Sequence, residues 1–172
     1  RPAGIKPLDT AIYLHPTATP KATAKPTAAG TKLKNKNASY QVVSANPKQP
    51  TVTYVQNLKK TAASVTVPAQ VKIGSVTYKV VAIGSKAFAN NKKLKTLTIG
   101  KNITTIGKNA FAGCKKLKKI TIKSTKLKSG AIGKNAFKGT AKNLVVKVSK
   151  KQYKAYKKLL KKKGNKKVKI KK

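Results

Sequence analysis

A six-residue pattern, Ile-Gly-x-x-Ala-Phe, occurs three times in this chain and constrains its fold more than any other feature. The copies begin at Ile83, Ile106 and Ile132, so that successive copies are 23 and 26 residues apart. Self-similarity with a period of roughly 20–29 residues is typical of solenoids, in which each repeat forms one structural unit. Because each unit buries its apolar side chains only against its neighbours, the pattern predicts a stacked scaffold. An extended binding surface is therefore favoured over an enclosed active site.

Short alternating segments lie between the copies of this pattern. Residues 94–99 read Leu-x-x-Leu-x-Ile, residues 117–122 read Leu-x-x-Ile-x-Ile, and residues 144–148 contain a shortened version, Leu-x-Val-x-Val. Alternation predicts a short strand in each copy, and the equal spacing predicts that these strands stack in parallel. The glycine of each pattern is expected at a tight turn where a Cβ atom would clash.

The rest of the chain divides by composition. Residues 1–39 are predicted to be a disordered Pro/Thr/Ala/Lys-rich tail or linker, because 19 of the 24 residues from Pro16 to Ser39 are of these four types. Residues 40–81 alternate like strands, with Gly74-Ser75 as a hairpin turn, and are predicted to form an N-terminal cap with a first degenerate repeat. Residues 40–172 together are predicted to be the solenoid, with repeats over 82–148.

Residues 149–172 are predicted to form the C-terminal cap. A helix is predicted over residues 149–163, because a capping-box motif begins at Ser149 and is followed by apolar residues at helical spacing: Tyr153, Tyr156, Leu159 and Leu160. Val168 and Ile170 then alternate as a last strand. A cationic amphipathic helix that binds anionic membranes is the alternative. We favour the cap, with the apolar stripe of the helix facing the core.

The charge of the chain is extremely one-sided. It has 42 lysine and arginine residues against one acid, which gives a formal net charge of +41. The acid is Asp9 and the only arginine is Arg1, so the basic residues are otherwise all lysines. Such a field attracts polyanions and also destabilises the compact state by self-repulsion.

The same composition argues against an enzyme, a metal site or a cofactor. Acid/base catalysis by paired carboxylates needs two acids, and a zinc site needs about four ligands, whereas the chain has one Asp, one His (His15) and one Cys (Cys114). Cys114 occupies the repeat position of Asn91 and Thr140, so we expect a buried thiol that packs as a small apolar group. No phosphate-binding glycine motif is present, and no apolar run is long enough to span a membrane.

With these motifs in view, the chain resembles the BspA-like leucine-rich repeat family of bacterial cell-surface and secreted proteins. The resemblance rests on Leu-x-x-Ile-x-Ile, a loop with one apolar residue (Ile103), Ile-Gly-x-x-Ala-Phe, and then Cys114 and Leu117 at their expected spacing; it is strongest over residues 83–148 and extends over 62–172. The expansion within 124–130 and the absence of the family's usual proline after the strand are departures. The resemblance implies a right-handed leucine-rich-repeat solenoid, mostly β with short turns, with a parallel sheet on one face. It also implies adhesion or binding of host matrix proteins and no shared catalytic residues.

Candidate binding residues are lysines that recur with the repeat. On the sheet face the outward positions are predicted to be Thr96, Thr98 and Gly100 in one copy and Lys119, Thr121 and Lys123 in the next. The complete set of candidates for polyanion binding is Lys92, Lys93, Lys95, Lys115, Lys116, Lys118, Lys119, Lys123, Lys147, Lys161, Lys162 and Lys163.

Three functions remain open at this level. The first is a non-catalytic extracellular binding or adhesion module for anionic polymers such as teichoic acid, acidic glycans or anionic lipid, or for host matrix proteins. The second is a nucleic-acid-binding protein, which would be non-specific because lysine lacks the bidentate geometry of arginine. The third is a structural cap or spacer of a larger surface protein, since the start at Arg1 indicates a processed product or a fragment.

Overall fold

The computed structural model describes residues 24–128 and 130–172, and the predictions that concern Asp9, His15 and the tail over residues 1–23 lie outside these residues. The described part contains eleven strands, one short 3-10 helix and one α-helix. In chain order these are β1 (Lys32–Lys34), β2 (Ala38–Ser44), β3 (Thr51–Asn57), β4 (Ser64–Val67), β5 (Gln70–Ile73), β6 (Val76–Ile83), β7 (Thr96–Ile99), β8 (Thr105–Ile106), β9 (Lys119–Ile122), β10 (Val145–Lys147), the 3-10 helix (Lys150–Gln152), α1 (Tyr153–Leu160) and β11 (Lys169–Lys171).

A five-stranded parallel sheet runs along the solenoid in the order β11-β10-β9-β7-β4. One aligned set of inward side chains passes through all five strands and consists of Val65, Leu97, Ile120, Val146 and Ile170. All five are buried. This register confirms the predicted stacking, because equal spacing within each repeat places equivalent apolar residues on the same side of the sheet.

The second sheet forms the N-terminal cap and has the order β1-β2-β3-β6-β5, with β8 beside β6. The predicted hairpin at Gly74 is confirmed: β5 and β6 pair antiparallel from Ile73 opposite Val76, and Gly74 has a φ of 62°. Strand β3 runs parallel to β6, so the cap already follows the direction of the repeats where it joins them.

The folded part begins before residue 40, which corrects the predicted boundary of the tail. Strand β1 pairs antiparallel with β2, with Leu33 opposite Tyr40 and packed against the core. The turn between them is closed by Asn35, whose Oδ1 atom accepts hydrogen bonds from the backbone N–H groups of Asn37 (2.8 Å) and Ala38 (2.9 Å). The low-complexity composition of this segment gave no indication of the local turn at Asn35, which fixes the hairpin of β1 and β2.

Five aromatic rings form a continuous stack through the core. Tyr40 contacts Tyr54 at a centroid distance of 5.4 Å, Tyr54 contacts Phe88 at 5.2 Å, and Phe88, Phe111 and Phe137 follow at 5.6 Å each. The phenylalanines come from the repeated pattern, whereas the cap supplies the tyrosines. Each such pair contributes about 0.5–1.5 kcal/mol beyond its burial, so the stack ties the cap to the repeats.

The repeated pattern forms a turn in which two coils approach closely. A Cβ atom on Gly107 would lie 2.4 Å from the backbone nitrogen of Ser85, and one on Gly133 would lie 2.4 Å from that of Lys108. The glycine is therefore required by contact with the preceding coil. The left-handed conformation falls two residues later, at Lys86, Asn109 and Asn135, with φ values of 58°, 56° and 59°.

The C-terminal segment caps the solenoid, as predicted, but its helix is shorter than the sequence pattern indicated. Ser149 accepts a hydrogen bond from the backbone N–H of Gln152 (3.3 Å), and α1 ends at Leu160. Tyr156 and Leu160 are buried, and the Tyr156 hydroxyl donates to the carbonyl of Ser124 at 2.8 Å. The apolar stripe therefore faces the core and is not free to enter a membrane.

Candidate polyanion-binding surface

The outer face of the parallel sheet carries two rows of side chains, one residue from each strand. The first row consists of Ser64, Thr96, Lys119, Val145 and Lys169, and the second of Thr66, Thr98, Thr121, Lys147 and Lys171. The face thus changes from hydroxyl groups on β4 and β7 to lysines on β9, β10 and β11. Gly100 is not part of it, contrary to the prediction: it is buried, and a Cβ atom there would lie 2.7 Å from the backbone nitrogen of Ala69.

Lysines from three neighbouring strands surround a shallow depression of about 360 Å³ at the C-terminal end of this face. Its lining, which we call the lysine-rich depression, consists of Lys118, Lys119, Val145, Lys147, Lys171 and Lys172. Neighbouring strands are about 4.8 Å apart, so these ammonium groups repel one another across short distances. No Asp or Glu follows Asp9 in the sequence, so side chains offer no counter-charge here.

Sequence reasoning identified Lys118, Lys119 and Lys147 in this depression and missed Lys171 and Lys172. The alternation around Ile170 did predict β11, but nothing local to that segment indicated that β11 would pair in parallel with β10. The alternation of side chains along the last strand could have identified the outward lysines of β11. Because Ile170 faces the core, its neighbours Lys169 and Lys171 must face outward.

The other candidate lysines lie elsewhere on the repeats. Two exposed pairs precede the strands of successive copies and form an edge stripe, which consists of Lys92, Lys93, Lys115 and Lys116. Lys95 and Lys123 are exposed at the two ends of the sheet strands, where the carbonyl of Lys95 accepts a hydrogen bond from the N–H of Lys118 (2.9 Å).

The lysines at 161–163 are separate from the depression. They follow α1, and the carbonyl of Lys163 accepts a hydrogen bond from the backbone N–H of Phe137 at 2.8 Å. This contact places Lys163, which is half-buried, against the third Ile-Gly-x-x-Ala-Phe turn. The structure therefore does not gather all the candidate lysines into one surface.

Cys114 is a buried repeat residue, as predicted. Its Sγ atom donates to the carbonyl of Phe88 at 2.9 Å, the same carbonyl to which Asn91 donates at 2.7 Å. Burial raises the pKa of the Cys114 thiol to about 11. Because the thiolate is the nucleophile and the metal ligand, this thiol lacks the properties of a reactive cysteine.

Two further findings concern the described residues alone. Within 24–128 and 130–172, no group of three or more His, Cys, Asp or Glu side chains is placed so that it could hold a metal ion. In that same part of the chain, no helix has the length and apolar character needed to cross a membrane.

The repeats match a known family over most of the chain. The BspA type leucine rich repeat region matches residues 65–172 in six copies. The chain belongs to this family. Its fold is a β-solenoid of leucine-rich repeats with one short helix at the C-terminal end of the described part.

Among the solved structures that are similar to this chain are two bacterial leucine-rich repeat proteins. One is a leucine rich cell surface protein from Faecalibacterium prausnitzii, with 29% identity and a TM-score of 0.57, covering 69% of this chain and 30% of that one. The other is a leucine-rich repeat protein from Bacteroides capillosus, with 18% identity and a TM-score of 0.60, covering 82% of this chain and 99% of that one. No curated protein matches this chain. This chain has the repeat architecture of that family.

Proposed function

We propose that this protein is a non-catalytic extracellular binding or adhesion module whose lysine-rich depression engages anionic polymers at the cell surface or in the surroundings of the cell. The observation that carries the proposal is the convergence of lysines from β9, β10 and β11 on one open face of the sheet, with no acidic side chain after Asp9. A row of fixed cations on a rigid scaffold releases counterions from a flexible polyanion when it binds.

The surface favours polymers recognised through charge and hydroxyl groups. Beside the lysines, the outer face continues into the threonines of β7, which are half-buried and can donate hydrogen bonds to an extended chain. The rows carry no aromatic side chain, so stacking of bases or sugar rings has no platform there. An acidic glycan, a teichoic acid or another phosphodiester polymer suits this face better than a base-stacked nucleic acid.

The experiment measures binding of inorganic polyphosphate and heparin to the full chain across a salt series. A triple variant, Lys119→Gln, Lys147→Gln and Lys171→Gln, is compared with a matched triple, Lys101→Gln, Lys108→Gln and Lys134→Gln, which removes the same charge from exposed positions outside the depression. If each contacting lysine releases about 0.7 counterion, the first triple lowers the slope of log K against log salt by about 2.

The matched triple should change this slope far less. Equal loss of affinity in the two triples would mean that the net charge of +41 acts without a defined surface and would refute the assigned site. Failure of the unaltered protein to bind either polymer at low ionic strength would refute the polyanion-binding function itself. Single-stranded homopolymer DNA serves as the competitor, and tighter binding of DNA than of polyphosphate would favour a nucleic-acid role.

A further inference from the structure

Strand β4 ends the parallel sheet and leaves one backbone edge open. Thr96 donates to the carbonyl of Ala63 (3.0 Å) and Gly100 donates to that of Val67 (2.9 Å), so the odd-numbered residues of this segment pair with β7. Residues of a parallel strand alternate between their two neighbours. Ser64 and Thr66 therefore direct their backbone N–H and C=O groups away from β7, and both residues are exposed. Among the described residues, neither has a backbone hydrogen bond on that side.

A polar cavity of about 370 Å³ adjoins this edge. Its lining includes residues of β4 and Pro68, and also Asn35, Asn37 and Tyr40 of the N-terminal hairpin. One residue of an added strand occupies on the order of 160 Å³, from a rise of about 3.3 Å, a strand spacing of about 4.8 Å and a sheet spacing of about 10 Å. The cavity therefore has room for about two residues of an extended peptide.

The cavity wall also contains a buried acceptor that lacks a partner. The Oδ1 atom of Asn37 is buried and accepts no hydrogen bond from the part of the chain that the structure describes, which is unusual because buried polar atoms are nearly always paired. The carbonyl of Asn37 accepts from the N–H of Leu58 (2.9 Å). Among residues 24–128 and 130–172, Leu58 is one of two large apolar side chains that are exposed; it is 40% exposed and lies next to the cavity wall. A ligand with N–H donors could pair with the Asn37 acceptor, and its apolar side chains could cover Leu58.

The distribution of lysine singles out the same edge. Edge strands β1 and β11 each carry two lysines, which is how proteins prevent strands from pairing with other chains. Strand β4 carries none. The two longest lysine-free runs between residues 24 and 172 are 37–47 and 61–71, and residues from both runs line this cavity. In a chain of net charge +41, the β4 edge thus lacks the electrostatic protection that β1 and β11 have.

From these observations we propose that the β4 edge is a docking site for an extended peptide of a partner protein, which adds to the parallel sheet beside β4. The peptide has an uncharged centre of two to four residues, because the strand that it pairs with, β4, carries no charged side chain, and it has acidic residues on both flanks. Lys59 lines the cavity before β4 and Lys72 follows it on β5, so the lysine-free run is bracketed by positive charge. A second copy of this chain is a poor occupant, since it would bring two bodies of charge +41 together.

The test uses a synthetic peptide, acetylated and amidated, with the sequence Asp-Asp-Thr-Val-Thr-Val-Asp-Asp, and a control that is N-methylated at its four central residues. The two peptides have the same charge, but the control cannot donate backbone hydrogen bonds from its four central residues. Calorimetric titration of the full chain at about 150 mM salt, where charge interactions beyond about 8 Å are largely screened, should give at least tenfold weaker binding for the control. Equal binding of the two peptides, or no binding of either at 1 mM, would overturn the proposal.

Two protein variants locate the site. Thr66→Pro removes the outward N–H without touching a bond to β7 and should weaken the unmethylated peptide at least tenfold, whereas Thr66→Val keeps the N–H and should bind within twofold of the unaltered protein. Both variants should keep their affinity for polyphosphate, so that a failure here is distinct from a failure of the proposed function. If Thr66→Pro does not fold, amide chemical shifts at Ser64 and Thr66 on adding peptide decide the location, and unchanged shifts there contradict it.

Discussion

Substituting Gly107 by alanine tests whether the repeated glycine is required by contact between coils. The added Cβ atom would lie 2.4 Å from the nitrogen and 2.8 Å from the Cα atom of Ser85. Ordinary contacts between such atoms are about 3.5–4.0 Å, so the two coils would have to separate by about 1 Å. The backbone of Gly107 does not have a positive φ, so the conformation itself accepts alanine. Any loss of stability therefore reports the contact.

The magnitude follows from what a separation of about 1 Å breaks. The N–H of Gly107 donates to the carbonyl of Ile83 at 2.7 Å, and the N–H of Lys86 donates to that of Lys108 at 3.1 Å. Both bonds would leave the hydrogen-bonding range, at about 1 kcal/mol each. Strain and looser packing of the adjoining aromatic stack add about 1–2 kcal/mol. We expect Gly107→Ala to lower the free energy of unfolding by about 3 kcal/mol.

The matched control is Gly84→Ala, in the same position of the first copy. Its Cβ atom would approach the carbonyl oxygen of Tyr54 at 3.3 Å, which a shift of a few tenths of an ångström relieves. We expect a loss below about 1 kcal/mol, partly offset by the smaller entropy of the unfolded alanine chain. The assay is urea unfolding followed by far-ultraviolet circular dichroism and tyrosine fluorescence. Urea is preferred to guanidinium because guanidinium would also screen the lysines.

Equal destabilisation by the two substitutions would refute this reasoning, because it would show that the glycine acts through local backbone freedom and not through the preceding coil. A loss below about 1 kcal/mol for Gly107→Ala would show that the coils separate at little cost. In that case the hydrogen bonds between successive turns would contribute less to the solenoid than the parallel sheet does.

Three further outcomes are expected. Lys86→Asn should raise the free energy of unfolding by about 1 kcal/mol, because asparagine tolerates the left-handed conformation (φ 58°) better than lysine. The control, Lys108→Asn, removes the same charge where φ is not positive, and an equal increase in its free energy of unfolding, measured in urea, would contradict the argument. The melting temperature should rise with added sodium chloride, since salt screens repulsion within a chain of charge +41, and a melting temperature that is flat from 10 mM to 500 mM salt would refute this. Folding raises the pKa of the Cys114 thiol from 9.0 to about 11, so between pH 9 and 11 the thiol ionises in the unfolded state before it does in the folded state. The stabilising effect of the buried thiol is therefore lost as pH rises over this interval, and the difference in unfolding free energy between the unaltered protein and Cys114→Ala should narrow. A difference that stays constant from pH 9 to 11 would contradict this prediction.

The sequence predicted the repeats because their signal is local and recurs. Spacing within each copy determines which residues face the core, and it correctly indicated the parallel strands, the burial of Cys114 and the capping role of Tyr156 and Leu160. It also indicated the hairpin at Gly74. These features depend on the order of apolar residues along the chain, which can be read without knowing what lies beside them.

Composition was a poor guide where a few residues decide the structure. The segment before residue 40 reads as a linker, yet Asn35 closes a turn and Leu33 reaches the core. Gly100 reads as an outward residue of the sheet face, yet the backbone of Ala69 occupies the space beside it. In both cases the deciding contact is made by one or two atoms, and average composition carries no record of it.

The sequence by itself determined the solenoid, the excess of positive charge and the lack of residues for the usual catalytic and metal sites. Only the tertiary structure decided which lysines meet, because residues as distant as Lys119 and Lys171 become neighbours through the pairing of β9, β10 and β11. It also decided that, within the described residues, β4 ends its sheet with an open edge beside a polar cavity. The physical reason is that period and charge are properties of the chain, whereas surfaces and edges arise from strand pairing between repeats.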